Sequence, residues 1–113
     1  MDDCIFCKIG SGEVPAAVVA RDEGVIAIED LNPQAPAHVL VMPVAHHANI
    51  VDVVRDAPAL AERLMALASK LGAARGGERG FRLVINTGAE GGQTVDHVHV
   101  HVLAGRPMTW PPG

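Results

Sequence analysis

A chain of 113 residues has room for one domain with an adequate core, and residues 1–113 are read as one unit. Its hydrophobic fraction of 49% and charged fraction of 19% lie near ordinary globular usage, which excludes disorder and a fibrous repeat. The formal net charge is −4, and Lys and Arg form no dense block, so DNA or long RNA is not an expected partner, whereas one nucleotide in a local pocket stays open.

The first residues, Met1–Lys8, are acidic and lead into no apolar stretch, so no signal peptide is expected and the cytoplasm is the expected compartment. No apolar run reaches the roughly 20 residues a bilayer span requires. The two cysteines form one Cys4-Ile5-Phe6-Cys7 spacing, too few for a disulfide scaffold and more suggestive of metal or redox chemistry. Cys4–Ile9 reads as one or two helical turns stopped by the Gly10-Ser11-Gly12 segment. Val18-Val19 and Val25–Ile28 flank Asp22-Glu23-Gly24, which predicts a hairpin. Asn32-Pro33-Gln34-Ala35-Pro36 is a loop, because its prolines cannot donate to a ladder, and it feeds a third strand over His38–Met42. A long helix is expected to start near Asp56 as N-cap, with Pro58 in its first turn, and to end at Gly72; Leu60, Leu64, Leu67 and Leu71 keep one face apolar. Phe81–Asn86 and His97–Leu103 read as strands four and five, separated by the turn-rich Thr87–Thr94. Short turns between strands, with helices set apart, predict an α+β fold: a five-stranded antiparallel sheet, one long helix and a short N-terminal helix.

Half of the six histidines lie within five residues, as His97, His99 and His101 alternating with Val98, Val100 and Val102. In a strand this spacing puts the three imidazoles on one face and the valines on the other. A single such histidine would most simply be structural; three in register point either to a metal site or to nucleophilic catalysis by one imidazole that its neighbours orient. Just upstream, the glycines of Asn86–Thr94 let main-chain N–H groups approach an anion, and Asn86, Gln93 and Thr94 are neutral donors beside them.

The run His97-Val98-His99-Val100-His101-Val102 resembles the histidine triad that names a family of nucleotide hydrolases and transferases. The resemblance extends through Ile5-Phe6, Lys8-Ile9, Asp30–His38, Asn86, Gly91-Gly92-Gln93-Thr94 and the ending Gly105–Gly113, and is closest to the histidine triad nucleotide-binding branch. That branch implies a homodimer whose two sheets join. It also implies hydrolysis of purine nucleoside phosphoramidates, in which the P–N bond to an amine is cleaved through a nucleotidyl-histidine intermediate without a catalytic cofactor. By position, His99 resembles the nucleophile, His38 the buried residue that orients it through a relay, and His101 and Asn86 the groups that contact the phosphate and its leaving side. His97 completes the triad. Thr94 stands where members usually carry serine, and Gly92 and Gln93 belong to the same phosphate loop. Asp30 matches the acid that accepts the ribose hydroxyls; Ile5, Phe6, Ile9, Ile28 and Leu31 match the slot around the base, although ordinary core packing accounts for the aliphatic ones equally well. Trp110 matches a tail residue that reaches toward the partner subunit's site and influences which amine is accepted; an exposed terminal tryptophan without a role is the alternative.

The resemblance further implies that Cys4 and Cys7 join His46 and His97, with His47 as a substitute for His46, around a structural zinc. Taken by themselves, two reduced thiols packed as small apolar groups explain the cysteines too. Other readings of the whole chain are a dinucleoside polyphosphate hydrolase, a nucleotidyl transferase, a metallohydrolase built on the triad, or a nucleotide-binding regulatory module. The preference between adenine and guanine and the natural amine leave no mark in the sequence.

Overall fold

The computed structural model describes residues 3–113. The chain runs α1 (Ile5–Ser11), β1 (Val18–Asp22), β2 (Val25–Glu29), β3 (Ala37–Pro43), α2 (Ile50–Asp56), α3 (Pro58–Gly76), β4 (Phe81–Val84) and β5 (Val100–Ala104). The strands form one antiparallel sheet in the order β1-β2-β3-β5-β4, the expected α+β architecture. No helix among the described residues is long and apolar enough to cross a membrane.

Apolar side chains cover both faces of the central strands. On one face Val39 and Val41 of β3 and Val98, Val100 and Val102 pack with Leu60, Leu64, Leu67 and Ala68 of α3. Those helix positions recur every three or four residues and lay one stripe against the sheet. Burying each such valine or leucine stabilises the fold by about 1.5–3 kcal/mol. The other face carries a smaller cluster, Phe6 and Ile9 of α1 against Ile26, Ile28, Leu40 and Met42. Period-2 alternation therefore commits the valines of the triad to α3 and sends the histidines toward the face covered by α1.

Several boundaries differ from the sequence reading, beginning with α1, which runs on to Ser11 and is capped by Gly12. A short helix, α2, precedes the long one; Asn49 caps it by accepting the Asp52 N–H at 2.9 Å, an Asn-x-x-Asp signal that the sequence reading passed over. Asp56 is the last residue of α2 rather than an N-cap, because Pro58 keeps Ala57 out of the helical region (φ −147°, ψ 63°) and forces a break there. The long helix does not stop at Gly72 but runs to Gly76. Gly72 is there for close approach, since a Cβ at that position would collide with the Phe81 ring. Strand β4 ends at Val84, not Asn86, and β5 begins at Val100, so His97 to His99 lead into the strand as irregular backbone tied by the Val98 N–H to the His47 carbonyl at 2.7 Å.

Candidate active site and metal centre

Two histidine assemblies adjoin on the α1 face of the sheet. The first contains Cys4, Cys7, His46 and His97, whose ligand atoms all lie within 4.8 Å of one another. Cys4 sits at the N-cap of α1, its sulfur accepting the Cys7 N–H at 3.4 Å, so one helical turn sets both thiols side by side. Cys4 Sγ is 3.3 Å and Cys7 Sγ 3.5 Å from His97 Nδ1, and Cys7 Sγ is 3.4 Å from His46 Nδ1. Zn–S bonds of about 2.3 Å and Zn–N bonds of about 2.05 Å at tetrahedral angles put S and N about 3.5 Å apart, so the spacing fits zinc.

The tautomer fits as well. His97 is fully buried, and its Nε2 lies 2.7 Å from the Pro43 carbonyl, which can only accept; the proton is thus on Nε2 and the Nδ1 lone pair faces the two thiols. Burial holds the His97 imidazole below the ordinary histidine range, which favours the neutral, ligating form. Burial, and then the hydrogen bond and charge of Cys4, push the Cys7 thiol up, so a dication is what would let both sulfurs ionise together. The residues fit a structural zinc, which would tie α1 to the end of β3 and the approach to β5.

The second assembly is His99, His101, His38 and Asp30. His99 is 7% exposed and donates Nδ1–H to the His97 carbonyl at 2.8 Å, which leaves the lone pair on Nε2. Phe6 and His101 meet its ring edge to face at centroid distances of 5.0 Å, so its plane is set by packing. The Gln34 N–H donates to His38 Nδ1 at 3.0 Å, so the His38 proton is on Nε2. That proton is shared between His101 Nδ1 at 2.9 Å and Asp30 Oδ2 at 3.3 Å. His101 therefore accepts at Nδ1 and carries its own proton on Nε2. Burial, together with the nearby His99 and His38 rings, brings the His101 pKa down to about 4, Asp30 opposing the shift, so the ring is neutral at pH 7. The relay expected from His38 thus runs to His101, whereas the main chain of His97 orients His99.

The Thr87–Thr94 loop is braced from within. Gln93 donates its N–H to the Gly88 carbonyl at 3.0 Å, its Nε2 to the Ala48 and Val95 carbonyls at 2.6 and 3.1 Å, and accepts the Gly88 N–H at 3.2 Å. Gly92, at φ 86°, sits where a Cβ would lie 3.9 Å from the Asn86 amide, so these two expected phosphate contacts are neighbours. Thr94 is exposed and lines a cleft with Cys4, Ile5 and His46. Of the expected base slot, Phe6, Ile9 and Ile28 are buried together, Ile5 is half exposed and Leu31 is 98% exposed. Trp110 also stands in solvent, 83% exposed. Sequence reading missed Pro43 and Gln34, which act through main-chain groups and leave no side-chain signal.

The HIT domain matches residues 11–108. A HIT family hydrolase from Legionella pneumophila superposes with a TM-score of 0.92 at 49% identity, covering 98% of this chain and 100% of that one. An uncharacterised HIT-like protein of Synechocystis is 46% identical over 112 residues, 99% of this chain and 98% of its own length. The 14 kDa zinc-binding protein of Zea mays is 42% identical over 96% of this chain and 87% of its own length.

Proposed function

The chain belongs to the histidine triad (HIT) family and is built like its hydrolases, and from that premise we propose that it cleaves the P–N bond of purine nucleoside phosphoramidates with His99 as nucleophile. The observation that carries this reading is the pair of bonds that leave a lone pair on His99 Nε2 and a proton on the neighbouring His101 Nε2. A neutral nucleophile beside a neutral donor suits attack on a phosphoryl group whose oxygens are already anionic.

In the proposed reaction His99 Nε2 bonds to phosphorus as the P–N bond breaks. His101 Nε2–H and the Asn86 amide donate to the phosphoryl oxygens, and the leaving nitrogen takes a proton from the Thr94 hydroxyl, which exposed Thr94 recovers from water. Water then bonds to phosphorus as the P–Nε2 bond breaks, one of its protons passes to solvent and balances the proton Thr94 drew from it, and the nucleoside monophosphate leaves with His99 neutral again. Asp30 and the slot of Phe6, Ile9 and Ile28 hold ribose and base, with Ile5 and Leu31 at its open side. Trp110 bears on the choice of amine from a partner subunit in a homodimer.

Cys4, Cys7, His46 and His97 hold zinc in this reading, a role supported by their spacing and by the likeness to the maize zinc-binding protein. Zinc would supply a structural cross-link and no step of the reaction.

The test is release of AMP from adenosine 5′-phosphoramidate by the protein and by His99→Ala, each with brief exposure to a chelator. Chelator-resistant turnover that His99→Ala abolishes is expected. Turnover that survives in His99→Ala, or none in the intact protein, would contradict the reading.

A further inference from the structure

Arg75, Arg79, Arg82 and Arg106 are scattered over 32 positions of the sequence, yet the fold gathers them where α3 ends, β4 starts and the chain leaves β5. They line two adjoining clefts that share Arg79, Gly80, Arg106 and Pro107, and no acidic side chain lines either cleft among the described residues. Most of their charge meets no carboxylate among the described residues. Arg82 donates to the Thr109 carbonyl at 3.0 Å, and Arg106 to the Gln34 and Pro107 carbonyls at 2.8 and 3.2 Å, all neutral acceptors. Among the described residues, Arg75 alone of the four meets a carboxylate, Glu29 Oε1 at 2.9 Å. Arg79 stands exposed on the turn after α3. In a chain of net charge −4, four of the nine Lys and Arg residues thus form one positive bay.

We propose that this bay binds a phosphoanhydride, with one phosphoryl group in each cleft. Planar guanidinium forks match phosphoryl oxygens pairwise, and two clefts sharing Arg79 and Arg106 suit two linked phosphoryl groups better than one. Occupancy reaches the catalytic relay through hydrogen bonds already described. Arg106 holds the Gln34 carbonyl, and the Gln34 N–H fixes the His38 tautomer; Arg75 holds Glu29, the residue before Asp30. An anion that draws these two guanidiniums toward itself loosens the connection between β2 and β3 on which His38 and Asp30 depend. Binding stands without the proposed hydrolase activity, whereas the effect on turnover rests on it.

The experiment is a titration of the zinc-loaded, AMP-saturated protein with inorganic pyrophosphate, followed by amide resonances, beside Arg79→Glu. Saturable shifts at Gly76–Arg82, Arg106 and Gln34 are expected, with at least tenfold weaker binding in Arg79→Glu and an otherwise superimposable spectrum. Pyrophosphate is expected to slow phosphoramidate turnover of the intact protein and not of Arg79→Glu. A parallel titration with ADP separates the sources: tighter binding of ADP marks a nucleotide-borne anhydride, tighter binding of pyrophosphate the free anion, and either supports the site. Shifts confined to Asn86–Thr94, shifts that never saturate, or shifts unchanged in Arg79→Glu would overturn it. If AMP does not bind and no turnover exists, the hydrolase reading fails while the bay still reads out at Arg79.

Discussion

His97 and His99 are two residues apart, both buried and both facing the α1 side of the sheet, yet they offer opposite nitrogens. His97 donates its Nε2–H to the Pro43 carbonyl and turns Nδ1 toward two thiols; His99 donates its Nδ1–H to the His97 carbonyl and keeps a lone pair on Nε2. A histidine's chemistry is thus set by which ring nitrogen a main-chain carbonyl captures, and adjacent copies of one motif can divide into a metal ligand and a nucleophile. The two assemblies also share a residue: the carbonyl that orients His99 belongs to His97, whose ring faces the two thiols.

Exchanging the histidines one at a time should separate the assemblies. His99→Ala is expected to cut turnover by about 10⁴-fold or more while zinc content stays at that of the intact protein, as metal analysis would show. His38→Asn, which removes the donor to His101, should lower kcat by roughly 10²-fold with little change in KM. On the metal side, Cys7→Ser should lose zinc and lower the thermal midpoint by on the order of 10 °C, equivalent to about 2 kcal/mol for a chain of this size. If Cys7→Ser kept full zinc, the ligand set would be wrong. His101 sharpens the picture through pH. Its folded pKa of about 4 lies below the ordinary 6.5, so the unfolded chain takes up the proton first and stability should fall as pH drops from 6.5 and level off below about 4. Denaturant midpoints of zinc-loaded protein across that window, against His101→Gln, check it; the variant should show the shallower slope. Smallest of all, Thr94→Ser keeps the hydroxyl and should change turnover by no more than a few-fold.

Much of this was legible because alternation and turn chemistry are local. Val98, Val100 and Val102 announced a buried face, Gly24 and the prolines around Gln34 announced turns, and the triad drew attention to the face where His38, His46 and the two cysteines also gather. Gly72 misled because glycine ends helices and also admits close neighbours, and only the Phe81 ring, nine residues on, decides between the two. The break at Ala57 was legible in principle, since Pro58 restricts its predecessor, but the leucine periodicity drew attention to α3 alone. The family resemblance assigned His97 to zinc and His99 to attack, but which ring nitrogen each offers was not legible, because it depends on the carbonyls of Pro43 and His97, and every residue type has a carbonyl. The arginine bay was likewise hidden, since its members are scattered along the chain and a search for basic runs passes over them.

The most direct test of this division is to trap the covalent intermediate. Acid-sparing quench of the protein with adenosine 5′-phosphoramidate, followed by peptide mapping and phosphorus NMR, reports which histidine and which nitrogen carries the nucleotidyl group. The nucleotidyl group on Nε2 of His99, with His97 unmodified, is predicted. Attachment through Nδ1, or to His97 or His101, would contradict the assignment.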